Sequence, residues 1–274
     1  MRTIQIFSIT ILILFFSILS TPLFAAPEGH DTHDTSVTSQ SNIQLEIEKI
    51  EPQGDQKEVT VKLLQDDKPL TLNDLKEIHT KKVHLLIIDD SLQDYFHVHP
   101  TPAQQPGTYK FSWHPKKEGH YRIWADIEPV STGQQLYVMN DLEKMTNKKA
   151  TIDRKVNFKN AVDGYTFIWS FIPNDLRVNK ATMATLNITD SKGQPVKNLE
   201  PLMGAFAHVV GFSEDFKTIE HIHPMGKEPT NDNERGGSEL QFHITPTQAG
   251  FMKLFVQVKI NDKELYVPFG IVVK

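Results

Sequence analysis

Residues Val83–Pro100 read VHLLIIDDSLQDYFHVHP, an apolar run that opens beside His84 and closes on His97-Val98-His99-Pro100. The same frame returns at Ala207–Pro224, AHVVGFSEDFKTIEHIHP, where His208, His221, His223 and Pro224 each stand 124 positions after their counterparts. The residues between have changed freely, Phe96 against Glu220 and Gln93 against Lys217. What persists is a spacing, His-x12-His-x-His-Pro, written twice.

Working outward, the echo continues at a shifted offset. Tyr109, Phe111 and Trp113 before Pro115 match Leu240, Phe242 and Ile244 before Pro246. Gly119 and Trp124 match Gly250 and Phe255, and Leu136-Tyr137-Val138 recurs as Leu265-Tyr266-Val267. Around these points apolar and polar residues alternate in short runs, as in Ile43, Leu45, Ile47 and then Val59, Val61, Leu63. A period of two is the mark of half-buried strands, and turn signals such as Asp66-Asp67-Lys68-Pro69 separate the runs. No long helical period appears. The pattern predicts an all-β chain, a tandem duplication of an immunoglobulin-like β-sandwich, with sandwich domains at 43–140 and 156–274 joined by a charged linker at 141–155.

The N-terminus has one positive charge at Arg2, an apolar stretch from Ile4 to Leu19 and then TPLFAAPEGH. This is the pattern of a secretory signal peptide, expected to end at Ala25, so the chain is expected to be periplasmic or secreted. Residues 26–42 are small and polar, carry His30 and His33, and are expected to form a disordered tail. After signal removal no segment is long and apolar enough to span a bilayer. Composition narrows the chemistry further. With no cysteine, disulfide scaffolds, thiolate zinc sites and blue-copper sites are excluded, leaving His, Met, carboxylate or backbone groups as metal ligands. The formal charge of −5, without a basic stripe interleaved with aromatics, argues against nucleic acid as a partner.

Side chains at i and i+2 of a strand share a face, so His97 and His99 point the same way. If residues 83–88 and 95–99 pair as an antiparallel hairpin, His84 falls opposite His99 or, one register step away, opposite His97. Either register gathers three imidazoles on one patch, and the same holds for His208, His221 and His223. The expectation is one tripod per domain. Three neutral imidazoles suit copper, zinc or nickel, and Met203, five residues before His208, tilts the choice toward copper with zinc as the alternative. Asp126 is weighed as an acceptor for an imidazole N–H, with an exposed strand-end carboxylate the favoured reading and Gln257 as its counterpart.

The run Leu199-Glu200-Pro201-Leu202-Met203-Gly204-Ala205, followed by His208, Ser213-Glu214-Asp215 and His221-Ile222-His223-Pro224, resembles bacterial secreted YtkA-like proteins and predicted heavy-metal-binding proteins. Gly119-His120-Tyr121-Arg122-Ile123-Trp124-Ala125-Asp126 is similar to their aromatic-glycine element. The first half departs from the pattern at Lys76-Glu77-Ile78-His79-Thr80. The resemblance implies an exported β-sandwich with metal binding and names no reaction. Without a Glu or Asp shared by both tripods to serve as general base, the sequence points away from an enzyme. The expected function is envelope metal homeostasis or delivery, with a transition-metal ion and another exported protein or metal transporter as partners. The alternative is a non-catalytic interaction or structural module of the cell envelope that binds no metal.

Overall fold

The computed structural model describes residues 42–78, 80–142, 150–222 and 224–274. The expected signal peptide, nearly all of the expected polar tail, linker residues 143–149 and His223 lie outside the described residues. In the first half the strands are β1 (Ile43–Gln53), β2 (Gln56–Gln65), β3 (Lys68–Pro69), β4 (Leu75–Lys76), β5 (His84–Asp89), β6 (Tyr95–Val98), β7 (Thr101–Pro102), β8 (Thr108–Trp113), β9 (Tyr121–Pro129) and β10 (Leu136–Asp141). The second half contains β11 (Lys159–Val162), β12 (Tyr165–Ile172), β13 (Thr182–Thr189), β14 (Leu199–Glu200), β15 (His208–Ser213), β16 (Ile219–Ile222), β17 (Glu239–Ile244), β18 (Gly250–Ile260) and β19 (Lys263–Val273). Among the described residues the only helical element is a 3-10 turn at Leu72–Asp74, and no helix is long and apolar enough to cross a membrane. The chain is all-β and duplicated.

Each half is a sandwich of two sheets. One sheet of the first half runs β1-β2-β8-β7, with β3 on β2, and the other runs β10-β9-β5-β6, with β4 on β9. The second half repeats this with β11-β12-β13-β17 and with β14-β18-β15-β16, where β19 pairs β18. Strand for strand, β5, β6, β9 and β10 correspond to β15, β16, β18 and β19. Two-residue turns with positive φ close hairpins in both halves, Asp66-Asp67 at 50° and 60° and Asn261-Asp262 at 53° and 60°. Short polar Asp and Asn tolerate this left-handed backbone better than branched residues do.

Burial separates two kinds of strand. β13 and β17 alternate, with one face in the core and one in solvent. β5 and β15 are buried at all six positions. Leu85 and Ile87 point into the first sandwich, beside Val61, Trp113 and Ile123. Val209 points into the second, with Trp169, Phe242 and Leu254. The opposite faces of the same strands meet across the two halves in a third core of Leu86, Ile88, Tyr95, Trp124, Val210, Phe212 and Phe255. Tyr95 lies 5.3 Å from Phe212 and 4.9 Å from Phe255 between ring centroids, and Trp124 lies 5.5 Å from Phe212. Arg122 stacks 4.7 Å over Phe216 and bonds its carbonyl, while Trp124 Nε1 donates to the Lys217 carbonyl at 3.3 Å. A sheet covered on both faces needs near-continuous apolar strands, which is why His84 and His208 open such hydrophobic runs.

Candidate metal centre

The hairpin register sets the first group. Leu85 pairs with Val98 and Leu86 with His97, so the next step places His99 across from His84, the first of the two registers the sequence allowed. All three imidazoles therefore share the face that looks toward the other half. In β15 and β16, Val209 pairs with Ile222 and Val210 with His221, the same register.

The hydrogen-bond network assigns the tautomers. The Ile78 carbonyl can only accept, so His84 Nε2 donates to it at 2.8 Å and Nδ1 carries the lone pair. Gln257 Nε2 donates to the Glu264 carboxylate at 3.0 Å and to the Tyr266 hydroxyl at 2.8 Å, which turns its Oε1 toward His97. His97 Nδ1 donates to that oxygen at 3.1 Å, leaving a lone pair on Nε2. These two lone-pair nitrogens, His84 Nδ1 and His97 Nε2, stand 3.2 Å apart, and His99 Nε2 lies 3.0 Å from His84 Nδ1. Nitrogens on a tetrahedral ion with bonds of about 2.0–2.1 Å lie ~3.3 Å apart, so the spacing is that of a coordination sphere. The His84, His97 and His99 group could hold a metal ion, and all its ligand atoms fall within 4.8 Å of one another.

The second half builds the equivalent arrangement. His208 Nε2 donates to the Leu202 carbonyl at 2.9 Å, as His84 does to Ile78, 124 positions earlier. His221 Nδ1 donates to Asp126 Oδ2 at 2.7 Å. The second-half histidine is thus held by the first half, and the first-half His97 is held by Gln257 of the second. Asp126 and Gln257 occupy equivalent positions opposite His84 and His208 in the ladders of β5 with β9 and β15 with β18.

One expectation is corrected here. Asp126 is not an exposed strand-end carboxylate: it is 0% exposed, accepts from His221, and also accepts from Gln135 Nε2 at 2.7 Å. The described histidines of the two halves, His84, His97, His208 and His221, lie close together where the halves meet. His97 is 6.0 Å from His208 and 5.8 Å from His221 between ring centroids, and His84 is 6.1 Å from His221. His208 and His221, within one half, are 5.8 Å apart, no closer than the cross-half pairs. Met203 sits partly buried at φ 51° in the turn closed by Leu202 and Ala205, next to the carbonyl that orients His208. The carbonyls of Ile78 and Leu202 and the Gln257 amide are the orienting groups that sequence reading missed. Their signal was the same repeat spacing, applied to backbone positions.

Burial favours the neutral form of His84, His97 and His99, the form that ligates. It lowers the His84 pKa, against the pull of Asp126, and lowers that of His97 well below 6.5, with His221 and His208 adding repulsion. Burial, with His84 and Lys81 nearby, pushes His99 down to about 3.

The fold and the cluster together define a duplicated β-sandwich protein with a buried histidine group able to hold a metal ion. The chain belongs to the family described as Domain of unknown function (DUF8832), whose profile matches twice, over residues 35–142 and 160–274. No curated protein matches it. Among solved structures, it is similar to the Escherichia coli adhesin FdeC at 14% identity and a TM-score of 0.27 over 86% of this chain. Staphylococcus aureus TarS aligns at 6% identity and 0.25 over 82% of it, and a Parabacteroides merdae β-glucuronidase at 9% and 0.21 over 86%. The chain spans 65%, 39% and 25% of these proteins respectively.

Proposed function

We propose that this protein binds a transition-metal ion, copper or alternatively zinc, at the histidine cluster, and serves metal homeostasis or delivery in the cell envelope without catalysing a reaction. The observation that carries this reading is the pair of buried lone pairs, His84 Nδ1 and His97 Nε2, facing each other at 3.2 Å. Each is forced by a hydrogen bond on the other ring nitrogen. Two acceptors in contact repel, and burial magnifies the repulsion; a cation between them turns it into ligation. Softness of the ligand set does not separate copper from zinc, since imidazole suits both. The signal-peptide pattern supports an exported location, and a metal transporter or another exported protein as the recipient of the ion.

Purified full-length protein titrated with Cu(I), Cu(II) and Zn(II) tests the proposal. Metal at one hundred times its Kd should stabilise the native state by about 2.7 kcal/mol and raise the melting midpoint by several degrees. An unmoved midpoint with no uptake of any of these ions would favour the metal-free interaction module.

The lowered histidine pKa values make a second prediction, for the metal-free chain. In the unfolded chain histidines titrate near 6.5, and folding lowers His84, His97 and His99, the last to about 3. As pH falls below 6.5 the unfolded state takes up protons that the folded state refuses, so the stability present above 6.5 is lost progressively toward about 3. Melting midpoints of the metal-free protein should therefore fall between pH ~6.5 and ~4, more steeply than in a His99→Ala variant. Equal slopes in the two proteins would contradict the assignment.

A further inference from the structure

Resting on the metal reading above, we propose that the ion held by His84, His97 and His99 is bound by both halves of the chain. In this arrangement His221 Nε2 is its fourth ligand, and Asp126 is the positioning residue that aims it. Three protein nitrogens leave a fourth position open on a tetrahedral ion. His221 comes from the facing sheet, its side chain fully buried, with its ring centroid 5.8 Å from His97 and 6.1 Å from His84. The spacing already present between His84 and His97 is 5.5 Å. Rings around one tetrahedral ion lie ~5.2 Å apart, given bonds of about 2.0–2.1 Å. His221 stands outside the group whose ligand atoms fall within 4.8 Å of one another, so its nitrogen must close by more than about 1.5 Å to enter the sphere.

Orientation supports the same assignment. The carboxylate of Asp126 takes the His221 Nδ1 proton at 2.7 Å, which fixes Nε2 as the lone-pair nitrogen. A carboxylate behind a ligating imidazole holds the ring in place and raises its basicity. Asp126 lies directly opposite His84 in the ladder, so the arm that positions the second-half ligand is rooted in the sheet carrying the first-half tripod. The rival arrangement gives His221 to a separate ion with His208 and His223, the last of which lies outside the described residues. The rings of His208 and His221 are 5.8 Å apart, and the first-half nitrogens converge to 3.0 and 3.2 Å. In the proposed arrangement the first ion sits on the first-half tripod, so that metal uptake bridges the two halves.

The test is X-ray absorption spectroscopy of the full chain loaded with one equivalent of Zn(II) or Cu(I), together with competition titrations. Four imidazoles are expected in the wild type and three in His221→Ala, with affinity for the first equivalent at least about 10–100-fold weaker in the variant. Asp126→Asn keeps an acceptor for His221 but removes the charge; it should retain four imidazoles and bind about 10-fold more weakly. If His221→Ala fails to fold, the wild-type count and the Asp126→Asn titration still decide. Three imidazoles in the wild type, or a first equivalent bound equally well by His221→Ala, would overturn the shared centre while leaving the metal reading intact. No uptake by the wild type would overturn the metal reading and this one with it.

Discussion

His97→Ala combined with His99→Ala should abolish high-affinity metal uptake, weakening the first equivalent by roughly three to four orders of magnitude. Structural zinc sites with four ligands are worth about 10–16 kcal/mol, so each ligand contributes on the order of 3 kcal/mol and the loss of two costs about 5 kcal/mol or more. The double variant also removes one of the two lone pairs that confront each other in the metal-free protein. Its metal-free stability should therefore fall by less than ordinary truncation of one buried and one half-buried ring implies, while the metal-induced rise in melting midpoint disappears. Equilibrium dialysis with elemental analysis, paired with melts at matched metal concentration, separates the two effects. A double variant that still shows the wild-type shift on adding metal would place the ion elsewhere in the chain.

The second large effect belongs to the aromatic core between the halves. Phe212 is 1% exposed and packs against Tyr95, Trp124 and Phe255. Truncating a buried phenylalanine to alanine removes its transfer energy and leaves a cavity, so Phe212→Ala should cost about 3–5 kcal/mol. The location of that loss matters as much as its size. Phe212 belongs to neither sandwich's own core but to the surface joining them. Denaturant unfolding of the variant should lose its single cooperative transition as the halves begin to separate before each unfolds. It should also bind metal more weakly, although Phe212 is not among the residues in hydrogen-bonding contact with the tripod. Unchanged metal affinity in a variant destabilised by this amount would show that the first-half hairpin holds its ion unaided.

Much of this was legible in the residues. Period-two alternation marked strands such as β1 and β17, and the repeated spacing marked the duplication, because both follow from local geometry that the chain must satisfy wherever it goes. The three histidines of the first hairpin fall on one face for the same reason. What the hairpin faces is a tertiary fact. The runs HLLIID and HVVGFS did carry a warning: six consecutive buried positions suit a strand covered on both sides, not one with a solvent face. With a single sandwich in view, the outward residues of such a run look like scaffold for a surface site. Only the meeting of the two sheets turns Leu86, Ile88, Val210 and Phe212 into a core and Asp126 from a strand-end charge into a buried acceptor. Gln257 was visible only as the counterpart of Asp126, because an amide on a strand is chemically bland until an imidazole is placed against it.

The crossed hydrogen bonds, Asp126 to His221 and Gln257 to His97, have the self-complementary form of a two-fold dimer interface, where a residue and its equivalent make the same contact from opposite sides. In a true homodimer both places would have to hold the same residue, so a charge on one side would always be doubled. Two subunits fused into one polypeptide are released from that constraint. Here one imidazole leans on a carboxylate and its twin on a neutral amide, so the centre carries a built-in polarity that no symmetric assembly of identical chains could acquire.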